Sequence, residues 1–257
     1  LASLRTRAEP DGDDFDLALD ASAAADGPIA ALAGLDAPLD MRVRGDGTWT
    51  QWDGALLVRS VDERVAALQL TNRAGRFGLL GTVDPTVFLT GLPAEALGDK
   101  VALKGDIAID NRVFDGTAIV AGRKVSLSAE GLVDLADNRA DDLEMVVRVR
   151  DPAVLGDGIA LRDTRLTATL DGSFDDLAIA HKARVGELDI GGTVLTRLRQ
   201  EGTARYDGTR WTLPLDLSLA RVTSGNTLVD PRLVDGRGRG TLVLTGSTLL
   251  SDDVQIA

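Results

Sequence analysis

His181, in "LAIAHKARVG", is the only imidazole this chain offers for acid–base chemistry. A Ser-His-Asp relay would have to use it, yet no G-x-S-x-G elbow presents a nucleophile, and with Lys182 and Arg184 beside it a surface position is expected. Cysteine is absent, which removes thiolate chemistry, disulfides and sulfur ligands for metals. The glycines of "GRGRG", 236–240, lack the spacing of a dinucleotide fingerprint, and there is no Walker loop. Carboxylates are plentiful, so calcium is the next chemistry to test. The densest clusters, "DGDDFD" (11–16) and "DLADNRADDLE" (134–144), do not read as D-x-[DN]-x-[DN]-G with a terminal Glu, so solvated turns are expected there and no metal site. Glycoside hydrolysis would pair carboxylates with aromatic rings for sugar stacking. The large candidates are Trp49, Trp52, Tyr206 and Trp211, and the first two flank an expected turn where they serve equally as cross-strand contacts. The residues predict no enzyme and no cofactor.

Composition narrows the classes further. Of 257 residues 44% are hydrophobic but only 4% aromatic, so the apolar content is Leu, Val, Ala and Ile, suited to smooth aliphatic surfaces. A net charge of −12 argues against nucleic acid, which needs a basic face, and against broad docking on an anionic membrane. No apolar run approaches the 18 residues of a spanning helix. The chain starts at Leu with no leader-like segment and stops in "DDVQIA", which reads as mid-strand, so a longer protein is expected around it.

Stepping along the chain, the elements are strands. In "WTLPLDLSLA", Trp211, Leu213, Leu215, Leu217 and Leu219 share one parity, which makes a ribbon with one oily and one wet side. Val101, Leu103, Ile107 and Ile109 alternate likewise, as do Val125 and Leu127 with Val133 and Leu135, and Leu166 and Leu170 with Phe174. "EMVVRVR" puts Met145, Val147 and Val149 on one face, and "LDIGGTVLTRLRQ" aligns Leu188, Ile190, Val194 and Leu198. Leu242 and Leu244 continue the set in "TLVLT". Asp-Gly pairs at 53–54, 115–116, 171–172, 207–208 and 235–236 signal hairpin turns. Glycines inside strands, in "VRGDG", "LKGDI", "SAEGLV" and "RQEGTA", predict bulges or bends that would curl the sheet.

Three segments, 27–34, 92–99 and 151–158, predict one- or two-turn helices, with Pro near the start and Gly past the end. The second and third run on alike, as "LGDKVALK" and "LGDGIALR", which suggests degenerate repeat units over 28–92, 93–151 and 152–257 of one elongated β segment. Such a chain can use its aliphatic faces in two ways, as a packed sandwich core or as an open trough for hydrocarbon. Uniform aliphatic lining, glycine bends and the repeat all favour the trough.

The C-terminal half, with its short h-x-h-x-x-G strands and the steps "LDGSFDDL" (170–177) and "LDIGGTVLTRL" (188–198), resembles the β-rich regions of the AsmA-like superfamily, TamB and YdbH types included. The resemblance implies an antiparallel sheet folded lengthwise into a taco-like groove, open along one seam and lined by the aliphatic residues named above. It implies a periplasmic conduit carrying phospholipid towards the outer membrane, with acyl chains in the groove. The inner-membrane anchor and the outer-membrane partner would come from other regions or proteins. A structural role in the assembly of outer-membrane proteins or autotransporters is the alternative the same resemblance allows.

Overall fold

Side-chain alternation with a period of two governs nearly every element of the computed structural model, which describes residues 2–8, 13–25, 38–61, 63–246, 248–251 and 253–257. The expected helix at 27–34 lies outside the described residues, as do Asp11 and Gly12 of the first acidic cluster. The chain divides into two units, Leu1–Arg123 and Lys124–Ala257. In the first, β1 (Ala2–Ala8), β2 (Phe15–Ala23), β3 (Leu39–Gly47), β4 (Gln51–Ser60), β5 (Glu63–Arg73), β6 (Arg76–Val83), β7 (Val101–Asp110) and β8 (Val113–Ala121) pair in chain order, each antiparallel to the next.

The second unit contains β9 (Val125–Asp134), β10 (Arg139–Val149), β11 (Ile159–Arg162), β12 (Arg165–Ser173), β13 (Asp176–Ile190), β14 (Thr193–Tyr206), β15 (Arg210–Ser218), β16 (Arg221–Thr223), β17 (Arg237–Thr245), β18 (Thr248–Leu250) and β19 (Gln255–Ile256). Its main ladder runs β9-β10-β12-β13-β14-β15-β17. The β13–β14 hairpin is longer than its neighbours, and its far half pairs instead with the short β11 and β16. Each unit is thus an open, uncurled antiparallel sheet, all-β as the sequence predicts, where the sequence reading also expects a lengthwise curl.

The turns and glycines also differ in part from what the sequence predicts. Hairpins close through residue pairs that both have positive φ: Ala74-Gly75 (53° and 85°), Asn111-Arg112 (45° and 70°) and Gly191-Gly192 (56° and 89°). This is the twist that tight two-residue connections require. Asp207-Gly208 makes a turn as expected, but Asp53-Gly54 lies inside β4, Asp115-Gly116 inside β8 and Asp171-Gly172 inside β12. Their glycines serve close approach. A Cβ on Gly116 would fall 2.1 Å from the Asp106 carbonyl oxygen, and one on Gly54 would fall 2.2 Å from the Trp52 ring. Of the strand glycines expected to bend the sheet, Gly131 faces a bulge, where Asp142 (φ 46°) is the extra residue of β10. Gly45 lies beneath Trp52 and Gly202 beneath Pro214, while Gly105 is uncrowded.

Short helical turns sit at strand ends. An α-helix covers Leu92–Leu97 and 3-10 turns cover Pro85–Val87 and Pro152–Leu155. The last two are capped by Asp84 and Asp151, whose carboxylates accept from the backbone amides of Thr86 and Ala153. The sequence match between 97–104 and 155–162 has a local counterpart: Gly98 and Gly156 end their turns with nearly the same backbone, φ 78°, ψ −175° and φ 91°, ψ −169°. What enclosed core the first unit has gathers near these turns. Val65, an extra residue bulged out between the Val58–Ala66 and Arg59–Arg64 pairs, is 2% exposed, and Ala66, Ala96 and Val101 are buried with it.

Asp207 organises the β14–β15 turn. Its carboxylate accepts from the Thr209 hydroxyl (2.7 Å), from the Thr209 and Arg210 amides, and from Arg210 Nε (2.9 Å). The Thr209 hydroxyl and then the Arg210 amide hold its pKa down to about 2, against an ordinary 3.8. Because the folded value is depressed, the contribution of this turn to stability is present above pH 4 or so and is lost as pH falls through about 2. In an NMR titration Asp207 should show a midpoint near 2 that rises in Thr209→Val; a midpoint near 3.8 in the parent chain would contradict this geometry. Gly116→Ala should cost about 2 kcal/mol, since a methyl there must displace backbone. Urea denaturation would measure it.

Candidate functional site

The register gives each sheet a mainly aliphatic face and a face that carries most of the charge, with Leu80 (54% exposed) and Ile119 (43%) on the charged side of the first unit. In the first unit, Leu19, Val43, Leu56, Leu68, Gly81, Leu103 and Val120 are successive partners across seven strands. Beside this row run Met41, Val58, Ala66, Val83 and Val101 on one side, and Leu70, Leu79 and Gly105 on the other. Ile107 faces Phe77, and Ile109 faces Phe114. The opposite face is charged: Asp20 receives Arg44 at 2.6 Å and Arg42 at 3.7 Å, Asp53 receives Arg73 at 2.6 Å, and Arg76 pairs with Asp106. These exposed pairs add little energy. They do mark the register, because a one-residue slip would turn them onto the aliphatic side.

The second unit repeats the arrangement. Leu127, Val147, Leu166, Ala183, Gln200, Leu217 and Gly238 form one row, and Val125 faces Val149 alongside. Met145, Ala168, His181 and Gly202 form the next row, on β15 and β17 continued by Leu215 and Gly240. Leu143, Leu170, Ile179 and Ala204 follow, with Leu213 opposite Leu242; then come Tyr206, Trp211 and Leu244. His181 therefore lies half-buried among aliphatic neighbours, its Nδ1 3.2 Å from the Ile179 carbonyl oxygen. Leu219 follows β15 and rests against Gly236.

One expected alignment changes. Leu188 faces Leu195 and Leu161, and Ile190 faces Ile159 and Thr193, but Val194 faces Asp189, so it lies on the other side of the ribbon from Leu188 and Ile190. Leu198 faces Val185. Between the two sets Gly186 lies opposite Arg197, whose φ is 53°, and there the apolar parity shifts by one residue on both strands. The signal was present in the sequence: a two-residue turn at Gly191-Gly192 mirrors 188 onto 195 and 189 onto 194.

Exposure shows what covers these faces. Among the described residues only nine hydrophobic side chains are buried, four of them alanines. The aliphatic rows are mostly half-buried, and Leu166 (37%), Ile109 (40%) and Ile190 (48%) exceed a third. A second layer packed at sandwich distance would bury such positions fully. The accessible surface is 16171 Å², whereas two separate compact bodies sharing this mass would expose about 13,000 Å². A cavity of about 680 Å³ occurs in the second unit, lined mainly from the polar side by Thr167, Thr169, Lys182, Glu201, Thr203 and Asp216, and also by Ala168, His181 and Gly202. The second acidic cluster holds a turn: Asp134 accepts from the Ala136 and Asp137 amides at 2.7 and 3.0 Å. No group of three or more metal-ligating side chains occurs among the described residues.

No family model, characterised protein or solved structure matches the chain. The likeness to the AsmA-like superfamily therefore rests on strand texture, with an open antiparallel fold that is consistent with that architecture.

An uncovered face has an energetic signature. Leu68→Ala, at an 8% exposed position, should cost about 3 kcal/mol, and Leu217→Ala, on the half-buried row of the second unit, about 1 kcal/mol. Equal losses in urea denaturation would mean that Leu217 is covered after all.

Proposed function

We propose that this chain is a non-enzymatic, lipid-handling segment, a stretch of conduit along which phospholipid passes with its acyl chains on the aliphatic faces. The observation that carries the reading is that, among the described residues, the aliphatic rows of both units are mostly half-buried, with full burial confined to a few positions such as Leu68, while ion pairs lie on the opposite faces. Hydrocarbon is the occupant such rows accept best. Each methylene removed from water gains about 0.8 kcal/mol, so ten of them supply several kcal/mol without one directed hydrogen bond. Uniformity matters as much as strength, because Leu166, Leu170, Leu213 and Leu217 offer similar depths and no single position traps a tail. The AsmA-like texture supports placing this activity in the periplasm, with transfer towards the outer membrane and the anchoring elements supplied elsewhere.

Mass spectrometry of the chain purified from bacterial cells tests the reading directly. Phospholipid should co-purify, and Leu170→Asp with Leu215→Asp should lose it while circular dichroism keeps its β signal. A lipid-free chain that captures unfolded outer-membrane strands would replace the conduit with an assembly role.

A further inference from the structure

Net charge is a sum, and the register of the second unit hides something beneath it. Arg148 lies opposite Arg165, Arg165 opposite Arg184, Arg184 opposite Arg199, and Ser218 stands between Arg199 and Arg237. Five arginines so form one row across six strands, about 24 Å long at ~4.8 Å per strand. All five are exposed and belong to the polar face, one position off the Leu166–Leu217 row. None of them has an ion pair or a side-chain hydrogen bond among the described residues, whereas the next row is internally matched, Lys182 with Glu201 at 3.9 Å and Arg239 with Asp216 at 3.8 Å. Like charges directly opposite one another destabilise a sheet. In a chain with 40 acidic and 28 basic residues, a row of five arginines without an ion pair among the described residues stands out, Asp235 being the acid that shares a cavity lining with Arg199 and Arg237.

We propose that the arginine row is a docking strip for an anionic lipid surface, its guanidinium groups engaging lipid phosphates. A guanidinium presents a planar fork that suits phosphate oxygens, and a line of them on an uncurled sheet meets a planar array of phosphates together. The elements beyond the row favour a bilayer over an acidic polypeptide. The β13–β14 hairpin runs on from Arg184 and Arg199 to Ile190, and the loop that leads into Arg237 exposes Leu228 (81%) and Val229 (42%). Asp230 holds that loop in shape, accepting from the Ser224 amide and hydroxyl at 2.9 and 2.8 Å and from the Gly225 amide at 3.0 Å. Exposed aliphatic side chains on the elements that carry the cations suit the boundary between headgroups and acyl chains; an acidic peptide would use the cations alone. The overall acidity of the chain argues against broad adhesion, and a local strip is compatible with it.

Flotation with vesicles tests this on the full chain. Binding should be seen with phosphatidylcholine vesicles containing phosphatidylglycerol, should be absent with phosphatidylcholine alone, and should weaken as salt is raised. Arg165→Gln, Arg184→Gln and Arg199→Gln together should weaken it on the order of a hundredfold. The same three changed to Lys should retain it, and Lys104→Gln, on the polar face of the first unit, should leave it unchanged. The triple Gln variant relieves repulsion, so it should melt no lower than the parent, which separates lost binding from lost folding. Equal binding by parent and triple Gln variant overturns the proposal, as does a parent that ignores anionic vesicles but binds polyglutamate. The strip does not depend on the conduit reading: Leu215→Asp should leave vesicle binding intact, so each can fail alone.

Discussion

Antiparallel register is the constraint on which the rest of this structure depends. With little enclosed core to select one arrangement, the ladders alone decide which side chains share a face. A slip of one residue between β12 and β13 would move Ile179 and Ala183 among the arginines and place Lys182 and Arg184 beside Leu166. What prevents this is distributed: positive-φ turn pairs fix hairpin phase, ion pairs on the polar faces favour it, and lateral packing within the aliphatic rows rewards it. Stability of this kind is spread along the ladders and has no single keystone. The exception is the small core around Val65, Ala66 and Val101, where helical turns close one end of the first unit.

Much of this was legible in the sequence, because a period of two is a strong signal when the apolar residues are uniformly aliphatic. Trp211 to Leu217 alternate in the sheet as they do in the text, and the short turns at 92–99 and 151–158 fall where Pro and Gly bracket them. The rest failed for identifiable reasons. Asp53-Gly54 and Asp115-Gly116 look like turns, yet each glycine is needed for what lies over it, an indole ring in one case and a carbonyl oxygen in the other. A pair of residues does not reveal which of those uses it has. Val194 was misaligned because alternation was carried straight through a hairpin whose own Gly-Gly turn reverses it. The arginine row was invisible for a different reason: its successive members lie 15 to 38 residues apart and meet only through pairing.

The two faces of each sheet divide labour by chemistry. One side holds charges that satisfy each other or, along the arginine row, are left to an outside partner. The other is aliphatic through its central rows, with His181 among them, its Nδ1 turned to a backbone carbonyl. A protein that must stay dispersed in water while presenting hydrocarbon-compatible surface can do so by this segregation.

Both units end their aliphatic rows in aromatic rings. Phe15 stacks on Trp49 at 4.4 Å with Trp52 nearby, and Tyr206 stacks on Trp211 at 4.9 Å. From Trp52 to Val58, and from Trp211 to Leu217, the oily band is seven residues wide, six steps or about 20 Å at ~3.3 Å per residue. Half the hydrocarbon thickness of a bilayer is about 15 Å. On the reading proposed above, an acyl tail laid parallel to the strands would fit within the width of the band in a single span.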